Sequence, residues 1–356
     1  MSKRNIAVAV GGTGGHILPA KQLASLLKSN SHLFFMGKGL LNSPYLKDVG
    51  AAIFDIPSAG IRKKNLWQLI LAGYFITLGV VKSLYLLKKH KIEKVVGFGS
   101  FHAFPVMLAA RLLNIPLFLF EANCTLGKVN RFFAKKASLA LQFPLSTPPS
   151  SPFTYVRPLP WVKPKTVFEK KEARLKLHLK EDLFTILVFG GSQGAQFLNQ
   201  LMKESFPKMN ATLQIIHLAG TDSSADELRE FYKRNQIEAY VASFETRMPL
   251  LFSAADLVIG RSGAGTISEL IYFSRPAFLI PYPYAADNHQ EENARFFVEQ
   301  VGGGKYSSQK DTTPSSFTTH LQEMCKKDLL VKWEKNILRY KEKEAKKEKK
   351  DFASLI

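Results

Sequence analysis

Hydrophobic positions in this chain fall into short runs separated by longer stretches with helical spacing. Apolar, β-branched or aromatic runs recur at 6–10 (IAVAV), 33–36 (LFFM), 53–56 (IFDI), 95–98 (VVGF), 117–120 (LFLF) and 139–143 (LALQF). A second series follows at 185–189 (TILVF), 214–218 (QIIHL), 239–242 (AYVA), 257–259 (LVI) and 277–280 (AFLI). Strand-like runs alternating with helical stretches predict parallel sheets joined by crossover helices, an α/β fold. Between the two series, residues 144–165 are dense in proline and serine and read as a domain boundary. The pattern therefore predicts two doubly wound domains, over 1–155 and 156–335, facing a central cleft. Leu330, Trp333, Ile337 and Tyr340 recur at helical spacing. The rest of 336–356 reads as a helix end and a lysine-rich, solvated tail.

One apolar stretch stands out. Residues 66–87 (LWQLILAGYFITLGVVKSLYLL) are long enough for a bilayer, yet contain Gln68, Thr77, Lys82 and Ser83. Basic residues flank the stretch at Arg62–Lys64 and at Lys88, Lys89 and Lys91. Three readings stay open: a buried crossover helix, a helix that dips one face into a membrane surface, and a spanning helix.

Composition changes the picture in two respects. Forty-nine Lys and Arg against 29 Asp and Glu leave a net charge of +20, which favours anionic partners such as nucleotides or an acidic membrane face. No nucleic-acid-binding motif accompanies that charge, so nucleic acid is not among the expected partners. The two cysteines, Cys124 and Cys325, form no Cys-x-x-Cys, which fits a reducing cytosol. The apolar run in MSKRNIAVAV is too short for a signal peptide, so export is not expected.

The candidate chemistry lies where strands end. Gly11-Gly12-Thr13-Gly14-Gly15-His16 leaves the first strand and opens a helix. It reads as a tight turn or as a loop whose backbone N–H groups meet an anion, with His16 able to take a hydroxyl proton. Ile17 occupies the third glycine position of the dinucleotide fingerprint, which argues against a dinucleotide site. Gly97–His102 is a weaker strand-end signal. Phe120-Glu121-Ala122-Asn123 places an acid and an amide at another strand end. Gly190-Gly191-Ser192-Gln193-Gly194-Ala195 repeats the glycine loop in the second half. Arg261-Ser262-Gly263-Ala264-Gly265 is followed by Thr266-x-x-Glu269. That pattern fits a capping box, and equally a diphosphate loop whose Glu269 accepts two hydrogen bonds from a ribose diol. Asp287–Asn293 gathers further polar groups around Gln290. No Asp-x-Asp, Walker lysine loop or His-Glu-x-x-His occurs. Leaving-group charge must then be met by backbone amides and a helix dipole.

In their order, these motifs resemble the GT-B glycosyltransferases, and within them the MurG family. The resemblance covers essentially the whole chain and implies two Rossmann-like domains. It implies transfer of N-acetylglucosamine from UDP-N-acetylglucosamine to the C4 hydroxyl of the N-acetylmuramoyl unit of lipid I, with inversion, forming lipid II. No metal or other cofactor is implied; the nucleotide sugar is a co-substrate. By the same resemblance, Thr13, Gly14 and Gly15 meet the diphosphate region and Asn123 the donor sugar. Ser192, Gln193 and Gly194 lie at the donor phosphate, and the backbone near Glu245 lies by the uracil. Arg261, Ser262, Gly263, Ala264, Gly265 and Thr266 form the nucleotide loop, Glu269 holds the ribose, and Gln290 binds sugar hydroxyls. His16 is the candidate general base and Glu121 the reserve. The resemblance favours peripheral contact with the anionic cytoplasmic face of the inner membrane through Trp67, Leu71, Phe75 and Leu78. It also admits other cell-wall synthesis proteins as partners.

Three departures fall on the acceptor and hinge side. Phe120 and Ala122 stand where the family has His and Gln, Ser100-Phe101 replaces a Gly-Tyr pair, and Val156–Pro160 lacks the arginine of Gly-Asn-Pro-Val-Arg. Arg157 is the candidate replacement. These departures also admit another GT-B enzyme that glycosylates a different glycolipid, or a nucleotide-binding regulatory protein without transfer chemistry.

Overall fold

The computed structural model describes residues 3–12, 14–60, 65–157, 167–191, 194–208 and 212–356. Thr13, Ser192, Gln193, Arg62–Lys64 and residues 158–165 of the proline-rich segment lie outside them. The chain forms two compact units, Met1–Trp161 with Lys349–Ile356, and Val162–Glu348.

The first unit holds strands β1 (Arg4–Ala9), β2 (Ser31–Gly37), β3 (Ala52–Asp55), β4 (Lys94–Gly97), β5 (Leu117–Glu121), β6 (Ser138–Leu141) and β7 (Phe153–Tyr155). They form one sheet in the order β3-β2-β1-β4-β5-β6-β7, every pair parallel. Helices α1 (Gly14–Leu27), α2 (Leu66–Lys89), α3 (Phe104–Leu112) and α4 (Lys128–Phe133) make the crossovers. The core of this unit is fully buried around Ala7, Ala9, Met36, Val95, Val106, Met107 and Leu119. The strand order reverses between β1 and β4, and in such sheets the ligand crevice opens beyond the carboxyl ends at that point.

The second unit repeats the plan. Its strands are β8 (Phe184–Phe189), β9 (Leu213–Leu218), β10 (Ala239–Ala242), β11 (Leu257–Gly260), β12 (Ala277–Leu279) and β13 (Gly304–Tyr306), in the parallel order β10-β9-β8-β11-β12-β13. Its helices are α5 (Lys170–Leu175), α6 (Gln196–Ser205), α7 (Asp222–Arg234), α8 (Met248–Ala254), α9 (Ala264–Phe273), α10 (His289–Arg295), α11 (Pro314–Met324) and α12 (Lys327–Ala345). Here the order reverses between β8 and β11.

All eleven runs singled out in the sequence correspond to strands. Two strands carry no such signal: β7, inside the proline- and serine-rich stretch, and β13, next to a glycine cluster; each is three residues long. The chain end corrects the expectation of a solvated tail. A last short helix, α13 (Phe352–Leu355), returns to the first unit. Phe352 and Ile356 are 2% and 8% exposed there, because the Phe352 ring is covered by Phe98 and Phe120.

Helix α2 settles the reading of 66–87 in part. Ala72, Gly79, Ser83, Leu86 and Leu87 form a buried stripe at helical spacing. At Gly79 an added Cβ would lie 2.0 Å from the Pro57 carbonyl oxygen and 3.0 Å from Pro105, so only glycine permits this approach. The other faces are apolar and exposed. Trp67 is 79% exposed, Leu71 54%, Phe75 38% and Leu78 40%, and Leu66, Ile70, Tyr74, Val81 and Tyr85 join them. The segment is therefore the crossover between β3 and β4, but not a buried one. Among the described residues it is the one helix long and apolar enough to cross a membrane.

Candidate active site

In the first unit, three strand ends converge on His16. The imidazole Nδ1 lies 2.7 Å from the carbonyl oxygen of Phe98, just after β4. A carbonyl only accepts, so Nδ1 carries the proton, and in the neutral ring the remaining lone pair is on Nε2. Helix α1 carries Pro19 in its interior, which removes the amide that would otherwise bond the Gly15 carbonyl. Gly15, His16, Pro19, Phe98, Phe120, Glu121, Ala122 and Asn123 together line a small cavity. Gly14 is buried and Gly15 exposed at the start of α1.

Glu121, the reserve proton acceptor, is instead saturated. One carboxylate oxygen accepts from the Asn123 backbone N–H (3.1 Å) and from Asn123 Nδ2 (3.0 Å). The other accepts from the Gly127 N–H and from Asn130 Nδ2, both at 3.0 Å. With four donors on a buried carboxylate, its task is to shape the 121–130 loop and aim Asn123.

A pair that sequence reasoning left as a weak signal borders the first glycine loop. Ser100 adopts φ +72, and its Oγ accepts from the His102 N–H (3.3 Å) while lying 3.1 Å from His102 Nδ1. The His102 ring and Cβ crowd Gly11 and Gly12, and a Cβ on Gly11 would come within 2.7 Å. Burial, with Lys38 nearby, holds the His102 imidazole below its ordinary pKa.

In the second unit, the second glycine loop turns through Gly191 and Gly194 at positive φ. A Cβ on Gly194 would lie 2.5 Å from Gly220 and 2.6 Å from the Ala219 carbonyl. The capping box anticipated at Thr266 and Glu269 does not form. Helix α9 begins earlier, with Gly263 as N-cap and no side chain capping it. The first-turn amides of Ala264, Gly265 and Thr266 therefore have no side-chain cap, and the positive end of the helix dipole lies with them. Ser262 Oγ donates to the Gln290 carbonyl (2.6 Å), and Asn293 Nδ2 donates to the Ser262 carbonyl (2.9 Å). These bonds tie the loop to α10.

Arg261 does not aim its guanidinium outward. It donates to the Ile280 and Pro281 carbonyls and to Gln309 Oε1, and it is 7% exposed. Burial lowers its pKa to about 10, so it remains a cation at neutral pH. Glu269 is partly buried, and its carboxylate has no hydrogen-bond or ion-pair partner among the described residues. Burial pushes its pKa up to about 8. The Glu245 carboxylate accepts from Arg247 and from Tyr240, and Arg247 holds its pKa down to about 2. Gln290 Oε1 accepts from the Tyr282 N–H at 3.0 Å.

Residues 6–142 match the glycosyltransferase family 28 N-terminal domain, and residues 185–356 match the family 28 C-terminal domain. The UDP-N-acetylglucosamine--N-acetylmuramyl-(pentapeptide) pyrophosphoryl-undecaprenol N-acetylglucosamine transferase of Protochlamydia amoebophila is 39% identical over 311 residues, 85% of this chain and 82% of that one. The chain belongs to the MurG family of GT-B glycosyltransferases. A MurG-family relative of the same name from Chlamydia pneumoniae is 35% identical over 318 residues, covering 87% of this chain and 86% of its own. The crystal structure of Acinetobacter baumannii MurG matches with TM-score 0.75 at 26% identity, over 95% of each chain. The two parallel-sheet units are thus the Rossmann-like domains of the MurG fold. Among the described residues no cluster of metal-ligating side chains occurs.

Proposed function

We propose that this chain transfers N-acetylglucosamine from UDP-N-acetylglucosamine to the C4 hydroxyl of lipid I, forming lipid II with inversion at the anomeric carbon. The observation that carries the reading is the 39% identity to a relative named for that transfer, spread over 85% of the chain. In the reaction, the acceptor oxygen attacks the anomeric carbon, the bond from that carbon to the β-phosphate oxygen breaks, and the hydroxyl proton leaves to a base. His16 is that base. Its Nδ1–H donates to the Phe98 carbonyl, which presents Nε2 as proton acceptor and steadies the imidazolium that forms. Glu121 aims Asn123 at the donor sugar.

UDP leaves with its charge on the diphosphate. The uncapped amides of α9 and the glycine loop around Gly194 meet that charge, and the inward-turned Arg261 adds only the field of its buried positive charge, with no metal required. Thr13, Gly14 and Gly15 complete the phosphate contacts on the first unit, and Ser192 and Gln193 do so on the second. Glu269 takes the ribose diol, Gln290 the sugar hydroxyls, and the main chain at Glu245 the uracil edge. The exposed face of α2 rests on the anionic cytoplasmic leaflet, where a polyprenyl-anchored acceptor resides. This makes the protein a peripheral membrane enzyme of cell-wall synthesis.

His16→Ala tests the core of this reading. Donor affinity should stay within about twofold while turnover falls by about 10²–10⁴, the range of a positioned base. Unchanged turnover removes His16 from that role.

A further inference from the structure

The chain end carries a role that the transfer chemistry above does not use. Phe98 supplies the carbonyl that holds His16, and its ring lies 5.5 Å from the ring of Phe120, centroid to centroid. Phe352, from the returning chain end, packs on both. It sits 5.2 Å from Phe120 and meets Phe98 edge-on at 6.4 Å. The three rings are 2–3% exposed. Phe98 and Phe120 line the cavity that holds His16, whereas Phe352 packs against them without lining it. The Phe98 and Phe120 rings present an apolar surface behind the cavity, and the Phe352 ring covers it.

The segment is pinned independently of that contact. Lys350 bridges to Val156, and its carbonyl accepts from the Arg157 N–H at 3.0 Å. The Asp351 backbone carbonyl accepts from the Ser354 N–H at 2.9 Å at the start of α13, and its carboxylate faces Arg157. Lys94 Nζ donates to the Ile356 carbonyl.

We infer that Phe352 is a positioning residue for the proton-transfer step: its ring fixes Phe98, and the Phe98 carbonyl thereby fixes the orientation and basicity of His16. The inference rests on His16 being the base. Truncating Phe352 opens a cavity behind Phe98 and Phe120, and the strand-end loop relaxes into it. The Nδ1–H···O=C bond then lengthens, the imidazolium loses stabilisation, and the base titrates at lower pH. Glu121 also lines the cavity, but its oxygens are tied to the 121–130 loop and do not respond in the same way.

The test uses the full chain with UDP-N-acetylglucosamine and a soluble lipid I analogue. Phe352→Ala should lower kcat at least tenfold, leave the UDP Kd within twofold, and move the acidic limb of the kcat/KM–pH profile to lower pH. Phe352→Leu, which refills most of the volume, should show about a threefold loss with a displacement in the same direction. A Phe352→Ala protein that folds, judged by circular dichroism and UDP binding, and keeps kcat within twofold overturns the inference. So does one with reduced kcat and an unmoved acidic limb. If the alanine variant does not fold, the leucine variant decides by the same two readouts. His16→Ala run in parallel separates the failures: turnover retained there removes the base assignment, whereas turnover lost there but kept in Phe352→Ala removes only the role of Phe352.

Discussion

Replacing Trp67 and Phe75 with glutamate should detach the protein from anionic membranes while leaving its fold and donor site intact. An aromatic side chain buries about 150–250 Å² when fully enclosed. With Trp67 79% exposed and Phe75 38% exposed, about 190 and 75 Å² of mainly apolar surface remain for lipid to cover. At about 25 cal/mol per Å² this amounts to at most about 7 kcal/mol. A helix lying in the interface with half that area immersed gains about 3 kcal/mol. Two carboxylates facing an anionic leaflet oppose binding by about 1 kcal/mol each. The combined change of about 5 kcal/mol exceeds a thousandfold in partition coefficient, at 1.4 kcal/mol per factor of ten. Flotation with vesicles containing phosphatidylglycerol measures it directly. Turnover on a water-soluble acceptor should stay within twofold, because both residues lie on the exposed part of α2 and neither lines the cavity that holds His16. Vesicle binding within threefold of the unaltered protein would refute the account of α2.

Three further outcomes follow from the site geometry. Glu121→Gln removes the charge and turns an amide toward two of the four donors; it should cost about 2–4 kcal/mol of stability through unsatisfied buried groups, read as a lower Tm, whereas no loss means the 121–130 loop is not built on this carboxylate. Glu269 has a folded pKa of about 8, above its unfolded value, so its stabilising contribution is complete below about pH 4 and is lost as pH rises toward 8; Tm should fall over that window, and Glu269→Gln should flatten the fall. If the ribose diol donates to Glu269, UDP binding near pH 7 draws its carboxyl into the ionised form and releases a proton, so calorimetry in buffers of different ionisation enthalpy should detect release, and proton uptake would contradict the contact.

Strand positions were legible because nearly every strand is a contiguous apolar run, and a doubly wound sheet puts its site at the strand ends. Short strands were not: β7 and β13 are three residues each and owe their pairing to neighbours far along the chain. Of the two readings of Thr266 and Glu269, the capping box does not form, because the chain enters the helix at Ala264 behind a glycine N-cap. Glu121 showed as an acid at a strand end, but the four donors that return to it come from the loop's folded path. In the same way, the lysine-rich composition of 341–350 obscured Phe352, whose burial depends on two rings more than 230 residues earlier.

The most direct test of the central claim is transfer of radiolabelled N-acetylglucosamine from its UDP donor to a lipid I analogue, measured with and without a chelator. The account predicts labelled lipid II at equal rates in both, with a β-1,4 linkage, and loss of label in His16→Ala. Label that appears only with another glycolipid acceptor, or UDP binding without any transfer, would contradict it.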